Sequence, residues 1–446
     1  MLKHQSLKSV PRFYWMKTIR QLAKAEFRGL PLLLVTYGAL MVHFIYGRAF
    51  RDSLLGSHLR IQSLPFLTLW GTLLSVIASL TVSALLRSEH RARTAGTIYA
   101  INALIEFLFA LSSRHFPSLY SLFFVEMSAS TIIGLSIIWI LIGDWASSCE
   151  ADRKRLIPAV LLYGTTVSIL AGVGLTHLRM AAGFRSANVI LATMNMISVV
   201  ALLFYRNGLC FVRPNLGIKR LPQRTHPNHK LLRKFAVLTV AAAATSTLLD
   251  LMFRIRVVEH FPHQVDRLHF LGLFQSLLSV SAFLSQMVLG RVMQKKVALI
   301  FFHLHPAAIC IASCLLAFAP GFWPFAFLRN GEYSMRNSLF RFGSEMAYGL
   351  FPDHERAVVR PLIDVIGERL GDLCASGMLA FLLFVNPQLP TKLGLFLLAL
   401  CSLVFWRICR SLERSMSAFG MSATRDLTAN ERSKLPVMAH EGAGIN

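Results

Sequence analysis

The stretch that decides the fold is residues 206–234, RNGLCFVRPNLGIKRLPQRTHPNHKLLRK, which carries eight Lys and Arg residues and no acid. Long apolar segments lie on both sides of it, many of them near the roughly 20 residues that a helix needs to cross a bilayer. Cytoplasmic loops of membrane proteins are enriched in Lys and Arg. The stretch therefore predicts a cytoplasmic linker between two sets of membrane-spanning helices.

The composition agrees with a membrane protein. The chain has 446 residues, of which 54% are hydrophobic and 15% are charged, whereas soluble domains carry about 25% charged residues. Hydropathy predicts six spans before the linker, near 29–47, 61–86, 94–111, 119–143, 156–176 and 187–205. Six more are predicted after it, near 235–253, 268–290, 297–319, 322–350, 361–385 and 391–406. The tenth span is interrupted by charged residues, so a broken helix buried among others is the alternative there.

Six spans on each side of a basic linker predict an all-α, major facilitator-like fold of about 12 transmembrane helices in two pseudo-symmetric halves. Short charged loops after the second and eighth spans occupy equivalent places, which favours an internal repeat. The predicted order is a basic cytoplasmic segment (1–28), an N-terminal half (29–205), the basic linker (206–234), a C-terminal half (235–410) and a polar cytoplasmic tail (411–446), expected to be disordered or loosely held.

The formal net charge of +24 is concentrated in the segments predicted to be cytoplasmic. We therefore interpret the charge as topology, with both termini cytoplasmic, and expect contact with the lipid bilayer and no nucleic-acid partner. Seven cysteines form no CxxC pair, and no P-loop or GxSxG sequence is present. We expect no metal, no cofactor and no enzymatic activity. A cell membrane, most simply a bacterial inner membrane, is the expected location.

Several acidic residues lie within predicted membrane spans, where a charge is energetically unfavourable. A charge in a membrane span marks either a substrate or ion pathway or an interhelical ion pair. We favour the pathway for Glu126 and interhelical pairing for Glu106, while both interpretations remain open for Asp250. In the eleventh span, Asp364, Glu368 and Asp372 are four residues apart and share a helix face. A gate of salt bridges and direct substrate contact are equally open there.

Two arginines end the first span within one helical turn, Arg48 and Arg51. The guanidinium fork matches the oxygens of phosphate or carboxylate, so these residues, together with Arg336 and Arg341, favour an anionic substrate. The alternative is that Arg51 pairs with its neighbour Asp52. His303 and His305 are two residues apart and face different directions on a helix, so we predict polar packing there and no shared metal.

Four blocks of residues are distinctive, and the fourth, whose two parts stand at a characteristic spacing, is the most specific. They are Arg48-x-x-Arg51-Asp52 continuing to Leu64-Pro-Phe-Leu-Thr68-Leu-Trp70; Glu126 with the segment from Gly143 to Arg155; Leu249-Asp250 with Phe261-Pro262; and Glu345-Met-Ala-Tyr348 with Ile363-Asp364-Val-Ile-Gly367-x-Arg369-Leu-Gly371. In these blocks the chain resembles the nucleotide transporter family of plastids and intracellular bacteria, the ATP/ADP translocase type.

The resemblance implies alternating access and transport of a nucleotide or related phosphorylated metabolite, a small anionic substrate. It implies substrate-binding roles for Arg48, Arg51, Glu126, Asp250, Thr68 and Ser344. It implies gate or structural ion pairs at Asp52, Glu345, Asp364 and Arg369.

Two positions depart from the family pattern. Thr68 and Ser344 stand where the family carries lysine, and losing two cations weakens the attraction for a phosphate-rich substrate. A carrier of a less charged solute or another organic anion, coupled to protons, is therefore the first alternative. A membrane scaffold that transports nothing is the second.

Overall fold

The computed structural model describes residues 29–86, 90–112, 118–148, 153–177, 183–208, 229–292, 298–318, 321–340, 344, 362–385 and 391–433. Twelve α-helices account for most of these residues. Nine of the helices in this described part are long and apolar enough to cross a membrane. The prediction of an all-α, multi-pass membrane protein is therefore confirmed.

The first six helices match the first six predicted spans. They are α1 Leu30–Ser53, α2 Leu64–Leu85, α3 Arg91–Ser112, α4 Leu119–Ser148, α5 Arg153–His177 and α6 Phe184–Gly208. The main difference is at the end of α1, which continues past the predicted boundary at 47. Arg48, Arg51 and Asp52 therefore lie inside the helix, because a run of polar residues lowers hydropathy without ending the backbone hydrogen bonding.

The second six helices follow the linker, of which residues 209–228 lie outside the described part. They are α7 His229–His260, α8 Gln264–Val292, α9 Ala298–Phe318, α10 Phe322–Met335, α11 Glu368–Val385 and α12 Thr391–Ser433. The tail after residue 411, expected to be disordered or loosely held, is helical as far as Ser433, where α12 ends.

The predicted tenth and eleventh spans depart from a regular α-helix. A π-helical segment, Arg336–Phe340, follows α10, and another, Leu362–Gly367, precedes α11. The wider turn changes the register between Asp364 and the residues that follow, and such segments are frequent at functional sites. In its described residues the tenth predicted span is therefore not one regular α-helix, as the alternative of a broken helix expects. Arg341 and Glu345 lie outside the described residues.

The described residues group into two compact units. The first takes the described residues within Met1–Arg60, Trp70–Lys219 and Phe261–Val280, and the second those within Ile61–Leu69, Arg220–His260 and Ser281–Asn446. Two segments, 61–69 and 261–280, group with the unit that holds most of the other predicted half. The predicted bounds of the two halves therefore stay a prediction.

Each unit has an apolar core formed by inward faces of its helices. In the first unit, buried Leu33, Tyr37 and Ile137 belong to one cluster, in which Tyr99 also donates its hydroxyl to the carbonyl of Gly134 at 3.0 Å. In the second, Phe235, Phe340 and Phe405 form the centre. The outward faces are apolar as well: Phe318 is 90% exposed and Phe384 83%, as expected for helices that lipid rather than water solvates.

Small residues allow close helix contacts in both units. A Cβ added to Gly172 on α5 would stand 2.5 Å from the carbonyl oxygen of Gly272 on α8 and would collide with the Ser276 hydroxyl. In the second unit, a Cβ on Gly371 would stand 2.5 Å from both the Ala243 Cβ and the Val240 carbonyl. Interfaces built from small residues are typical of membrane helices, whose backbones must approach closely.

The contact at Gly172 predicts a position-specific effect on stability. Gly172→Ala is expected to lower the free energy of unfolding by about 1–3 kcal/mol, because the methyl group overpacks the helix contact. The matched control is Gly174→Ala, two residues further along α5, where an added Cβ meets nothing within 4 Å. That change is expected to be neutral or to stabilise by up to about 1 kcal/mol. Unfolding in detergent measures both, and equal effects would contradict the predicted packing.

Candidate functional site

Most of the charged site residues that the structure describes fall into two clusters, one in each unit. In the first unit, the last turns of α1 present Arg51, whose side chain is 9% exposed. Its Nε donates to Asp52 Oδ1 at 2.9 Å, and one terminal nitrogen donates to the Ser128 hydroxyl on α4 at 2.9 Å. The guanidinium also lies 4.8 Å from the ring centre of Phe124. Arg51 thus pairs with Asp52, and its predicted role in binding a substrate stays a prediction.

Glu126 lies on α4, one turn before Ser130. Both of its carboxylate oxygens are shielded from solvent, and neither makes a hydrogen bond within the described part of the chain. Burial, the charge of Glu106 and, to a smaller extent, the Ser130 hydroxyl act on this carboxyl group. Because a buried carboxylate without hydrogen bonds is costly, Glu126 is a candidate for binding something that the structure does not contain.

Glu106, on α3, is completely buried and has two partners from other helices. One oxygen stands 2.5 Å from His43 Nε2 on α1, and the other accepts a hydrogen bond from the side-chain amide of Asn195 on α6 at 2.9 Å. The preferred interpretation of Glu106, interhelical pairing, is therefore supported. His43 and Asn195, which provide the partners, are residues that the sequence did not single out.

In the second unit, Asp250 on α7 is the centre of an ion-pair network. Arg329 on α10 reaches it with Nε at 3.0 Å and with a terminal nitrogen at 2.8 Å. Arg254, one turn after Asp250, donates to its other oxygen. Arg329 also contacts Glu332, three residues along α10. Arg254 and Arg329, both buried, thus share the carboxylate of Asp250, and Arg329 also contacts that of Glu332.

The network continues through the other charged residues near the π-helical segments. Arg336 donates to the Ser246 hydroxyl at 2.9 Å and to Glu368 at 3.1 Å. Arg369 donates to Asp372 at 2.7 Å. Asp372 also accepts a hydrogen bond from Thr247 on α7. This part of the network therefore joins α7, α11 and the segment after α10.

The charges in this second cluster balance. The described members comprise four arginines, Arg254, Arg329, Arg336 and Arg369, and four acids, Asp250, Glu332, Glu368 and Asp372. His305 on α9 stands 3.8 Å from Glu332. His303, two residues earlier, pairs instead with Glu413 at 2.7 Å. The two histidines thus have separate partners, and no group of side chains in the described residues is arranged to hold a metal ion.

The two positions that lack the family's lysine have local partners. The Thr68 hydroxyl donates to the carbonyl of Leu64 at 2.9 Å, and the Ser344 hydroxyl donates to that of Phe340 at 2.9 Å. Both bonds run one turn back along the chain, which is the usual way to satisfy a hydroxyl in an apolar helix. The side chain of Asp364 lies outside the described part, so its predicted gate with Arg369 stays a prediction.

One further buried arginine was not predicted from the sequence to have a role. Arg267, near the start of α8, is completely buried and donates to three backbone carbonyls, those of Ser53 at 3.1 Å and of Phe261 and Pro262 at 2.8 Å. It also reaches the Ser57 hydroxyl. The residue holds the turn after α1 to the start of α8. Because every residue has a backbone carbonyl, the sequence does not show which carbonyls will bind an arginine. The position of Arg267 close to an apolar segment was the one feature that could have indicated its burial.

The network around Asp250 predicts a large loss of stability when its charge is removed. Asp250→Asn is expected to lower the free energy of unfolding by about 3–5 kcal/mol, because it leaves Arg254 and Arg329 buried with too few carboxylates. The control is Glu259→Gln, which breaks the more exposed pair with Arg256 at 2.5 Å and is expected to cost less than about 1 kcal/mol. Chemical denaturation of both variants in detergent measures the difference. A loss at Asp250 as small as at Glu259 would contradict the network.

Comparison with known proteins supports the fold but shows no family membership. No protein-family model matches the chain, and no curated protein matches it in sequence. The predicted membership of the nucleotide transporter family therefore stays a prediction, supported by the residues of the four blocks alone.

Solved transporter structures match the fold. The nucleoside transporter NupG has a TM-score of 0.61 at 12% identity, over 86% of this chain and 98% of that chain. A POT family transporter in complex with 5-aminolevulinic acid has a TM-score of 0.64 at 11% identity, over 87% of this chain and 96% of that chain. A bacterial homologue of the iron transporter ferroportin, in an inward-facing state, has a TM-score of 0.60 at 16% identity, over 87% and 99%. At these identities the likeness establishes the fold alone, and the chain is a multi-pass membrane protein with the major facilitator-like fold.

Proposed function

We propose that the chain is a carrier that moves a small solute of low net charge across the membrane by alternating access, without covalent chemistry. The fold supports a carrier, since rocking of two halves is how such folds move solutes. The observation that carries the choice of cargo is the pairing of charges: Arg51, Arg329 and Arg336 each donate to a carboxylate.

Recognition of a phosphate chain needs cationic groups whose charge is not already compensated. Arg51 directs its Nε to Asp52 and a terminal nitrogen to Ser128. Arg329 and Arg336 belong to a cluster in which the described arginines and acids are equal in number. The positive charge predicted for these residues is thus largely neutralised, and this weakens the case for a triphosphate or diphosphate.

Thr68 and Ser344 support the same choice. A hydroxyl that donates to its own helix backbone keeps lone pairs for a solute's N–H or O–H group but supplies no charge. The buried Glu126 carboxylate is an acceptor of the same kind when ionised, and would bind a hydroxyl, an amino group or a proton. These groups suit a polar solute with several hydrogen-bond donors.

The second candidate is exchange of a nucleotide or related phosphorylated metabolite. The four sequence blocks, above all the fourth, favour it, and so does the presence of Arg48 and Arg51 within one turn of α1. In this case Arg48 and Arg51 would engage anionic oxygens, while Glu126 and Asp250 would shape the site. Both candidates share the carrier mechanism and differ in the charge of the cargo.

Uptake of labelled solutes into proteoliposomes tests the proposal. We expect uptake of at least one solute of low net charge from a panel of nucleosides, amino acids and sugars, and none of ATP or ADP. Glu126→Gln is expected to reduce that uptake at least tenfold, because it removes the charged acceptor, whereas Glu259→Gln, at an exposed ion pair, leaves it unchanged. ATP/ADP exchange by the wild type would establish the second candidate, and no uptake of any solute would contradict both.

Restoring lysine at the two divergent positions tests the role of charge directly. Thr68→Lys combined with Ser344→Lys is expected to create binding of ATP that the wild type lacks, because two uncompensated cations favour phosphate. ATP binding is measured as an increase in the melting temperature with ligand concentration, since a ligand that binds the native state stabilises it by mass action. The charge-matched control places lysine at exposed Gln62 and exposed Ser118. If the wild type binds ATP as well as the double variant does, the proposed low-charge cargo is wrong.

A further inference from the structure

One face of α12 changes from apolar to basic along a single line of residues. The exposed residues between 393 and 414, apart from Val404, recur every three or four positions and therefore share one face of the helix. They are Leu393, Phe396, Leu400, Leu403, Arg407, Arg410 and Arg414. Phe396 is 64% exposed and Leu403 42%. Because lipid solvates the apolar part of this face, the arginines mark the end of the hydrocarbon.

The opposite face of α12 is buried, and this fixes the direction of the arginines. Phe405, Cys409 and Leu412 pack into the apolar core of the second unit. Lys234 of α7 donates to the backbone carbonyl of Ser411 at 3.3 Å and so holds the start of α7 against this turn of α12. The basic face therefore points away from the protein core, and Lys234 adds a further cation at the same level.

The three arginines make no ion pair within the part of the chain that the structure describes. Glu413, the nearest acid in the sequence, pairs instead with His303 of α9 at 2.7 Å. The guanidinium of Arg410 lies 6.0 Å from the ring centre of Trp406, which is half-buried. Such a contact orients a cation over an aromatic ring without neutralising it. The face thus keeps its positive charge, unlike the arginines of the network around Asp250.

The length of the apolar part of the face places the arginines beside lipid headgroups. From Leu393 to Val404 the helix rises about 17 Å, at about 1.5 Å per residue, and this is short of the roughly 30 Å of the hydrocarbon core. Arg407 therefore lies close to the hydrocarbon, and its long side chain extends towards the nearest groups that bind a guanidinium, the lipid phosphates. At this level, unlike deeper in the bilayer, lipid does supply a partner. Trp406 agrees with the depth, since tryptophan collects at the membrane–water interface.

We propose that Arg407, Arg410 and Arg414 form a binding site for the headgroup of an anionic phospholipid of the surrounding bilayer. Their guanidinium groups match phosphate oxygens in a bidentate way. A headgroup of net negative charge is favoured over a zwitterionic one, because the ammonium group of the latter is repelled by the same arginines. The site lies on the lipid-facing surface of the second unit, and it does not rest on the proposed carrier function.

Quenching of Trp406 fluorescence tests the site in the wild-type protein. The protein is placed in zwitterionic bilayers that contain a small fraction of phosphatidylglycerol or of phosphatidylcholine, each with a nitroxide near the top of an acyl chain. The signal of Trp406 is the difference between the wild type and Trp406→Phe. We expect the anionic quencher to reduce this signal at least about twofold more than the zwitterionic one, and high salt to weaken the preference. Equal quenching by the two lipids would overturn the site.

A charge-matched pair of variants separates this face from positive charge in general. The triple variant Arg407→Gln, Arg410→Gln and Arg414→Gln is expected to lose the preference for phosphatidylglycerol. The control removes the same charge at three exposed arginines of the first unit, which are Arg60, Arg93 and Arg185, and is expected to keep it. A preference that survives in the triple variant, or that both variants lose equally, would overturn the site. If the triple variant does not fold, Arg410→Gln alone takes its place and is expected to weaken the preference.

Thermal unfolding in detergent distinguishes a lipid from other anions. Added phosphatidylglycerol is expected to raise the melting temperature of the wild type, and that of the triple variant by less than about half as much, since a ligand of the native state stabilises it. Inorganic phosphate and a polyglutamate peptide are expected to leave both unchanged. A rise with inorganic phosphate equal to that with lipid would assign the face to a soluble anion. A larger rise with the peptide would assign it to an acidic protein partner, and either result would overturn the lipid site.

Discussion

The constraint on which the rest of the structure depends is that a charge within a membrane helix must find its partner on the protein, because lipid supplies none. Asp250 shows the consequence most clearly, since Arg329 from α10 and Arg254 from its own helix both converge on it. Arg336 and Arg369 then take the remaining acids. In this unit, the residues that interrupt the apolar pattern are therefore the ones that hold α7, α10 and α11 together.

The same constraint changes the interpretation of the arginines. From sequence, an arginine in an apolar span indicates a site for an anionic substrate, because the charge needs a reason to be there. A carboxylate from a neighbouring helix is a sufficient reason, and it leaves less charge available to a phosphate. The pair formed by Arg51 and Asp52 at 2.9 Å is the simplest case, since the neighbouring residue in the sequence neutralises the fork.

Hydropathy was enough to predict the helices, because the need to satisfy every backbone group in lipid leaves few alternatives to a helix. It placed the end of α1 too early, since Arg48, Arg51 and Asp52 lower the average while the backbone remains helical. It also ended the last helix near residue 406, whereas α12 continues to Ser433. The partners of Glu106 were beyond prediction: His43 is 63 positions away and Asn195 is 89 away, and only the packing of α1, α3 and α6 brings them together. The sequence thus predicts which charged residues lie within the membrane spans, but it does not predict the contacts that they make.

The two clusters satisfy their charges to different extents, and this difference bears on function. In the second unit the described arginines and acids are equal in number, so the network can hold its helices without gaining or losing an ion. In the first unit, Glu106 faces a histidine, whose charge depends on a proton, and Glu126 makes no hydrogen bond in the described residues. The second unit is thus held by arginine–carboxylate pairs, and the first by the hydrogen bonds of Glu106 with His43 and Asn195. The acid left without a hydrogen bond among the described residues, Glu126, is for this reason the residue on which the proposed solute binding depends most.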